Sequence, residues 1–477
     1  MKQFSIITVS ILFAQLLSAQ TFDGTWLGRL EMGIELRLAF TFKTMPNGKV
    51  TATWQSPDQA KDILPTDTCY INSDSIYTTA KRFGVSFKGK LIDNNTIDGV
   101  FTQGVDINLV LKKTDSIAEL QRPQTPIPPF NYLNKDVRFA HKDSSWKLAG
   151  TLSWPKPEPG VDYIKSPTYP AVILVSGSGP QDRDETLLGH KPFAVIADYL
   201  VKKGFAVLRY DDRGVGSSGG KFETATTADF ADDAGAALDF LKTQEMIDTK
   251  HLGIIGHSEG GMIAPIVAAQ RSDVHSIVLL AGPGVPILQL MEEQVEAVAL
   301  SSGETAPIVN GSKEIFRLVA SMLVKEKDSA KQLSKGVEIL EQWAGKQTSQ
   351  LLDSMELNSA EKRKGYVMQQ VKAMSTPWFS YFLAFNPEKY LSRLQSNVLA
   401  INGSKDVQVL PTSNLAGIRA ALKKSKAAQF DVIELPGLNH LFQRCKTCSP
   451  AEYAKIEETF APEALELIAN WLLQYGR

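Results

Sequence analysis

Cysteine is scarce in this chain: Cys69, Cys445 and Cys448 are all it has. Three thiols cannot build a structural zinc site, and the lone C-x-x-C lacks a second ligand pair. In an oxidising compartment Cys445 and Cys448 can close a small disulfide loop; otherwise they stay reduced. An excess of one charge is also missing. Lys and Arg number 51 against 52 Asp and Glu, a formal net charge of −1, which gives no reason to expect nucleic acid or an acidic surface as partner. Beyond the N-terminus no apolar run is long enough to cross a bilayer, so no stable membrane insertion is expected. Histidine is scarce as well, with six in 477 residues, so few side chains can serve as a general base. What remains is ordinary for a folded chain: 43% hydrophobic and 22% charged residues exclude wholesale disorder and leave apolar mass for two or three domains.

The N-terminus reads as an export signal over residues 1–20. Lys2 gives a short basic end, Ile6 to Leu17 are almost wholly apolar, and Ser18-Ala19-Gln20 resembles a cleavage region. That run is shorter than the roughly 20 residues a spanning helix needs, so a cleaved signal is expected rather than an anchor. A secreted or periplasmic protein is therefore expected. No cysteine follows the run to carry a lipid.

Residues 21–113 read as an all-β domain, a small sandwich or barrel. In "GIELRLAFTF" Ile34, Leu36, Leu38, Phe40 and Phe42 share one face, and Asn47-Gly48 signals a two-residue hairpin before "KVTATW". No cluster of reactive side chains stands out there. Residues 114–131 carry Pro123, Pro126, Pro128 and Pro129 and read as a semi-rigid linker. From residue 132 a β-hairpin ("DVRFAH", "KLAGTLSW") leads into alternating strands and helices, the pattern of a parallel sheet covered on both faces. The alternation stops at about 285–393, where the spacing is helical throughout, then resumes with "NVLAING" and "FDVIELPG". A helical insertion between two sheet strands is a candidate lid.

Two segments match Gly-x-Ser-x-Gly. Gly216 to Gly220 is followed by the polar "KFETATT", a loop, whereas Gly256-His257-Ser258-Glu259-Gly260 lies between a strand-like and a helix-like run. A nucleophile elbow needs that order of strand, sharp turn and helix. A serine there needs a base and an acid to orient it. Among the histidines, His141 is in the opening hairpin, His190 starts a helix and His251 and His275 start strands. His257 adjoins the serine and is expected to point elsewhere around the turn. His440, in the loop after the last strand, falls on the C-terminal sheet edge with Ser258. Asp406, just past its own strand, is the best-placed acid; Asp431 and Glu434 lie within the next strand. In the Gly-rich turn "VSGSGPQDRDE" the Ser178 N–H, with the N–H of Glu259, is a candidate donor to an oxyanion. Trp378, Phe379 and Phe382 in "TPWFSYFLAFNP" either pack the insertion or line an acyl pocket, and are taken as candidate substrate-binding residues.

With "SGSGPQDRDE", "RYDDRGVGSSGG", "GHSEGG", "NGSKD" and "LNH" in that order, the chain from about 136 to 477 resembles the α/β-hydrolase superfamily, and within it secreted bacterial esterases and serine-aminopeptidase-like hydrolases. The resemblance implies an eight-stranded, mostly parallel sheet, a Ser258-Asp406-His440 triad, no cofactor or metal, and often a helical cap before the acid strand. It also implies that Asp212 and Arg213 brace the site. The expected activity is hydrolysis of a small-molecule carboxylic ester, with a serine peptidase as the alternative and a non-catalytic envelope or glycan-binding protein as a more distant one.

Overall fold

The computed structural model describes residues 21–31, 35–58, 63–118, 121–141, 145–157, 168–326 and 328–477. The export-signal reading, and Ile34, lie outside these residues. The chain divides into a compact unit up to residue 119 and a second from residue 120 onward.

The first unit is one antiparallel nine-stranded sheet. Its strands are β1 (Gly24–Glu31), β2 (Glu35–Thr44), β3 (Val50–Gln55), β4 (Leu64–Pro65), β5 (Thr68–Asn72), β6 (Ser75–Ala80), β7 (Val85–Asp93), β8 (Thr96–Gln103) and β9 (Asp106–Thr114). Sequence neighbours pair except β4 and β5, which end the order on opposite sides, and β9 returns to β1. The sheet curls until β3 meets β5, with Thr66 N–H donating to the Ala52 carbonyl and Asp67 N–H to that of Thr79. Alternation drives this: every second residue faces inward, so Trp26, Phe40, Phe42, Phe87 and Phe101 are buried in one interior. The turn at Asn47-Gly48 differs from expectation. Thr44 pairs with Val50, leaving five residues in the loop. Pro46 has no N–H to continue the ladder, and Gly48 takes φ +78° while its N–H closes on the Met45 carbonyl.

The second unit carries an eight-stranded sheet of order β10-β11-β13-β12-β14-β15-β16-β17. These are β10 (Tyr132–Ala140), β11 (Lys147–Pro155), β12 (Tyr169–Val175), β13 (Ala206–Tyr210), β14 (Ile247–His257), β15 (Val274–Leu280), β16 (Asn397–Gly403) and β17 (Phe430–Leu435). β11 runs antiparallel to both its neighbours, and from β13 across to β17 all pairs are parallel. Helices α1 (Pro192–Lys202), α2 (Thr227–Lys242), α3 (Gly260–Gln270), α11 (Pro411–Leu422) and α12 (Pro462–Tyr475) cover its two faces in two separate apolar cores. Between β15 and β16 the insertion folds as α4 (Ile287–Ser301), α5 (Ala306–Lys325), α6 (Ser329–Ala344), α7 (Ser349–Ser354), α8 (Ala360–Met374), α9 (Pro377–Leu383) and α10 (Glu388–Leu391), with a core of its own around Val319, Trp343 and Val367.

The proline-rich stretch after residue 120 does not hang free. Arg122 donates to the carbonyls of Leu188 (2.8 Å) and Ala454 (3.0 Å). Gln124 donates to the Phe460 carbonyl (2.7 Å) and accepts from the Thr459 N–H (2.6 Å). Prolines supply no N–H, so side chains make the attachment.

Three segments crowd around the end of β14. A Cβ on Gly260 would lie 2.1 Å from the Val175 carbonyl oxygen, and one on Gly256 would lie 2.0 Å from that of Gly260. Only hydrogen fits at either place. Gly260→Ala is expected to cost at least about 3 kcal/mol, at the upper end of overpacking, because the obstacle is main chain and cannot swing aside. Thermal unfolding against Gly261→Ala would check this; there the Cβ meets Gly282 Cα at a looser 2.6 Å and a smaller loss is expected.

Candidate active site

Ser258 stands at the bend between β14 and α3 with φ +52°, a left-handed conformation that costs a non-glycine residue about 1–3 kcal/mol. Its N–H donates to the Leu280 carbonyl at the end of β15 (2.9 Å), and its own carbonyl accepts from Gly261 N–H (2.9 Å). The bend is therefore anchored on both sides, and the next residue, Glu259, already has helical dihedrals. That leaves its N–H at the helix start, where no earlier turn supplies an acceptor.

Asp406 sits three residues beyond β16. Its Oδ1 accepts from the N–H groups of Gln408 (2.8 Å) and Val409 (2.9 Å), and its Oδ2 lies 2.8 Å from Nδ1 of His440. Both side chains are buried. An acceptor on Nδ1 selects the tautomer that frees Nε2. Ser258 and His440 line one cavity of about 110 Å³, whose other walls include Gly177, Ser178, Leu187 and Leu441. Asp406 stands behind His440. The Gly177 N–H is engaged by the Glu185 carboxylate (2.7 Å), which orients the turn that carries Ser178.

Asp212 and Arg213 act as struts. Asp212 accepts from the Ser176 hydroxyl (3.0 Å) and the Gln181 N–H (2.9 Å), holding the Gly-rich turn; burial pushes its carboxyl up to about 8 despite those bonds. Arg213 pairs with Asp233 through two nitrogens (2.7 and 2.9 Å).

The aromatic candidates are placed differently from the pocket reading. Among the described residues, the cavity wall contains none of Trp378, Phe379 or Phe382. Trp378 stacks on Phe382 (5.0 Å) and meets Phe379 edge-on (5.4 Å), and Phe382 is buried in the core. Packing takes them because one face of α9 closes against the sheet's helices. Trp378 does more than pack. Its indole N–H donates to Glu259 Oε1 (2.8 Å), which also accepts from the Thr227 hydroxyl (2.7 Å). The residue after the serine thus tethers the insertion to the bend. Burial raises the Glu259 carboxyl, and these hydrogen bonds oppose the shift.

Two histidines set aside by position belong to this site. His190 lines the same cavity. Its Nδ1 meets the Thr459 hydroxyl (2.9 Å) and its Nε2 the Tyr453 carbonyl (3.1 Å), so both ring nitrogens are occupied. His257 does not point away; its ring lies 4.9 Å from that of His440, centroid to centroid, and also lines the cavity. Glu185 had one legible sign, the charged run "QDRDE" directly after the Gly-rich turn. Cys445 and Cys448, in the loop beyond His440, are disulfide-bonded. Among the described residues no cluster of three or more His, Cys, Asp or Glu is placed to hold a metal ion.

Burial, followed by the charge of Arg122, pulls the His190 imidazole down to about 4. An unfolded histidine protonates near 6.5, so between these values the unfolded chain binds one proton more and stability falls as pH falls. The slope from this group is about 1.4 kcal/mol per pH unit between roughly pH 6.5 and 4. In denaturant titrations over that window, His190→Asn is expected to lose stability with acid less steeply than the wild type.

Parts of the chain resemble known proteins. A profile of the family described as "Serine aminopeptidase, S33" matches residues 191–356, about a third of the chain. Esterase EstD of Thermotoga maritima is 37% identical over 159 residues, which are 33% of this chain and 36% of that protein. Mouse dipeptidyl peptidase 8 is 32% identical over 165 residues, 33% of this chain and 17% of its own length. The matches thus span about a third or less of these curated relatives. Among solved structures, an esterase of Pyrococcus furiosus superposes over 75% of this chain and 99% of its own, with 15% identity and a TM-score of 0.42. Strand order, the order of the site segments and the sequence matches give the chain an α/β-hydrolase fold and a resemblance in sequence to esterases and serine-aminopeptidase-like hydrolases.

Proposed function

We propose that this protein is a serine hydrolase that cleaves carboxylic esters through an acyl-enzyme on Ser258. One observation carries the reading. A serine held at φ +52° on a strand–turn–helix bend shares a cavity with His440, whose Nδ1 lies 2.8 Å from the buried Asp406. Such strain persists only where surroundings enforce it, and it clusters at functional sites. In the proposed cycle His440 takes the Ser258 proton and the alkoxide adds to the ester carbonyl. Backbone N–H groups of Ser178 and Glu259 receive the oxyanion. The imidazolium then protonates the departing alcohol, and water releases the acid by the reverse route. Asp406 holds the tautomer and stabilises the charged ring.

The helical insertion from α4 to α10 serves in this reading as a lid tethered at Trp378. The apolar run at Ile6–Leu17 and the Cys445–Cys448 disulfide support an extracytoplasmic location. Amide hydrolysis is the second reading, favoured by the serine-aminopeptidase profile and the dipeptidyl peptidase match. The same three residues would attack an amide, so substrate panels separate the two.

Ser258→Ala is expected to lower turnover on p-nitrophenyl esters by about 10⁶, and Asp406→Asn by about 10⁴. Activity within tenfold of wild type in Ser258→Ala would exclude the mechanism. Aminoacyl anilides turned over faster than esters would move the assignment to a peptidase.

A further inference from the structure

Two buried side chains beside Ser258 have no part in the acyl-transfer steps. His257 immediately precedes the nucleophile, and Glu185 comes from the loop after the Gly-rich turn, where its φ is +51°. Nδ1 of His257 lies 2.9 Å from Glu185 Oε1, and Nε2 lies 3.1 Å from the main-chain carbonyl oxygen of His440. The same Glu185 oxygen accepts the Gly177 N–H at 2.7 Å. Both side chains are at least nine-tenths buried.

Donor accounting settles what the ring does. A main-chain carbonyl only accepts, so Nε2 of His257 carries a proton. Nδ1 faces the Glu185 carboxyl, whose charge and hydrogen bond favour the ring with a proton on both nitrogens. Burial alone would push this imidazole down, but the charge and hydrogen bond of Glu185, with the His440 carbonyl, more than offset it and raise it. Burying an ion pair carries a desolvation cost that an apolar pair of equal volume would avoid, so the pair contributes little to the case for stability. What it does supply is connection. One unbroken chain of hydrogen bonds runs from the turn that carries Ser178, through Glu185 and His257, to the backbone of His440.

We propose that Glu185 and His257 form a positioning pair that sets the height of His440 above Ser258 and couples it to the oxyanion turn. The inference rests on the reading of Ser258 and His440 as nucleophile and base. Both side chains line the cavity, but their proposed role is exerted through the main chain of His440 and not on the reacting carbonyl. It fixes the main chain of the base from behind while Asp406 fixes the ring from the side. Misplacement of a reacting group by about 1 Å can cost about 10²-fold in rate, which is the scale expected when this support is removed.

Two amide replacements divide the function. In His257→Gln the amide nitrogen stands near the place of Nε2 and can still donate to the His440 carbonyl. In His257→Asn it stands near Nδ1 and reaches only Glu185. Steady-state kinetics on a p-nitrophenyl ester and the rate of fluorophosphonate labelling of Ser258 should show His257→Asn losing about 10²-fold in kcat with KM within threefold. His257→Gln should recover about tenfold of that loss. The near-isosteric Glu185→Gln removes the charge, keeps an acceptor for Gly177, and should lose about tenfold in kcat. It also carries the test if either His257 variant fails to fold. A folded Glu185→Gln and a folded His257→Asn with kcat and labelling rate within threefold of wild type would overturn the pair's role. So would a His257→Gln no better than His257→Asn. Failure of the underlying reading looks different: wild-type Ser258 would then resist the fluorophosphonate altogether.

Discussion

The structure depends on one cramped bend. β14 ends, the chain turns through a left-handed serine, and α3 begins two residues later. The turn is possible because Gly256 and Gly260 bring main chain within 2.0–2.1 Å of where a Cβ would stand. Everything else in the unit serves to hold that bend under load. β15 receives the Ser258 N–H, β12 presses its carbonyl edge on Gly260, and α3 behind it is buried on every side from Gly260 to Ala268. A left-handed serine in an exposed loop would relax. Here the packed sheet leaves it no room to do so.

Around the bend, buried charge is handled by dense hydrogen bonding rather than by solvent. Asp406, Glu185, Asp212 and Glu259 lie on different elements, and each meets a hydrogen-bonding partner from another segment. Every such carboxylate costs desolvation energy and is tolerated because its partners are built in. The consequence is cross-linking. The Gly-rich turn is fixed by Asp212 and Glu185, the loop of His440 by Asp406 and His257, and the helical insertion by Glu259 through Trp378. The Gly-rich turn and the loop of His440 are thus held by buried acids rather than by apolar contact alone, which suits positions that must be accurate.

Much of this organisation was legible in the chain itself. The inward alternation of β2, the unbroken apolar run of β12 and the glycines around Ser258 each follow from local rules: period-two patterning, burial on both faces, and room for a sharp turn. The order Ser258, Asp406, His440 followed because parallel strands deliver their C-terminal ends to one edge. The five-residue loop at Met45–Lys49 departed from its Asn-Gly signal because Pro46 removed a ladder donor, a detail that was also local but competed with a stronger cue.

Only the tertiary structure could decide what the side chains of distant segments do when they meet. His257 and His190 look unpromising by position, yet both line the cavity, because the loop beyond β17 and the segment before α1 fold over the same edge. Trp378 reads in sequence as packing or as pocket lining, with packing the commoner role for such aromatics; the hydrogen bond to the Glu259 carboxylate makes it a tether. Periodicity determines which face of an element is buried, since that depends on neighbours a few residues away. Pairings such as Glu185 with His257, 72 residues apart, depend on how elements cross, and no local pattern encodes that.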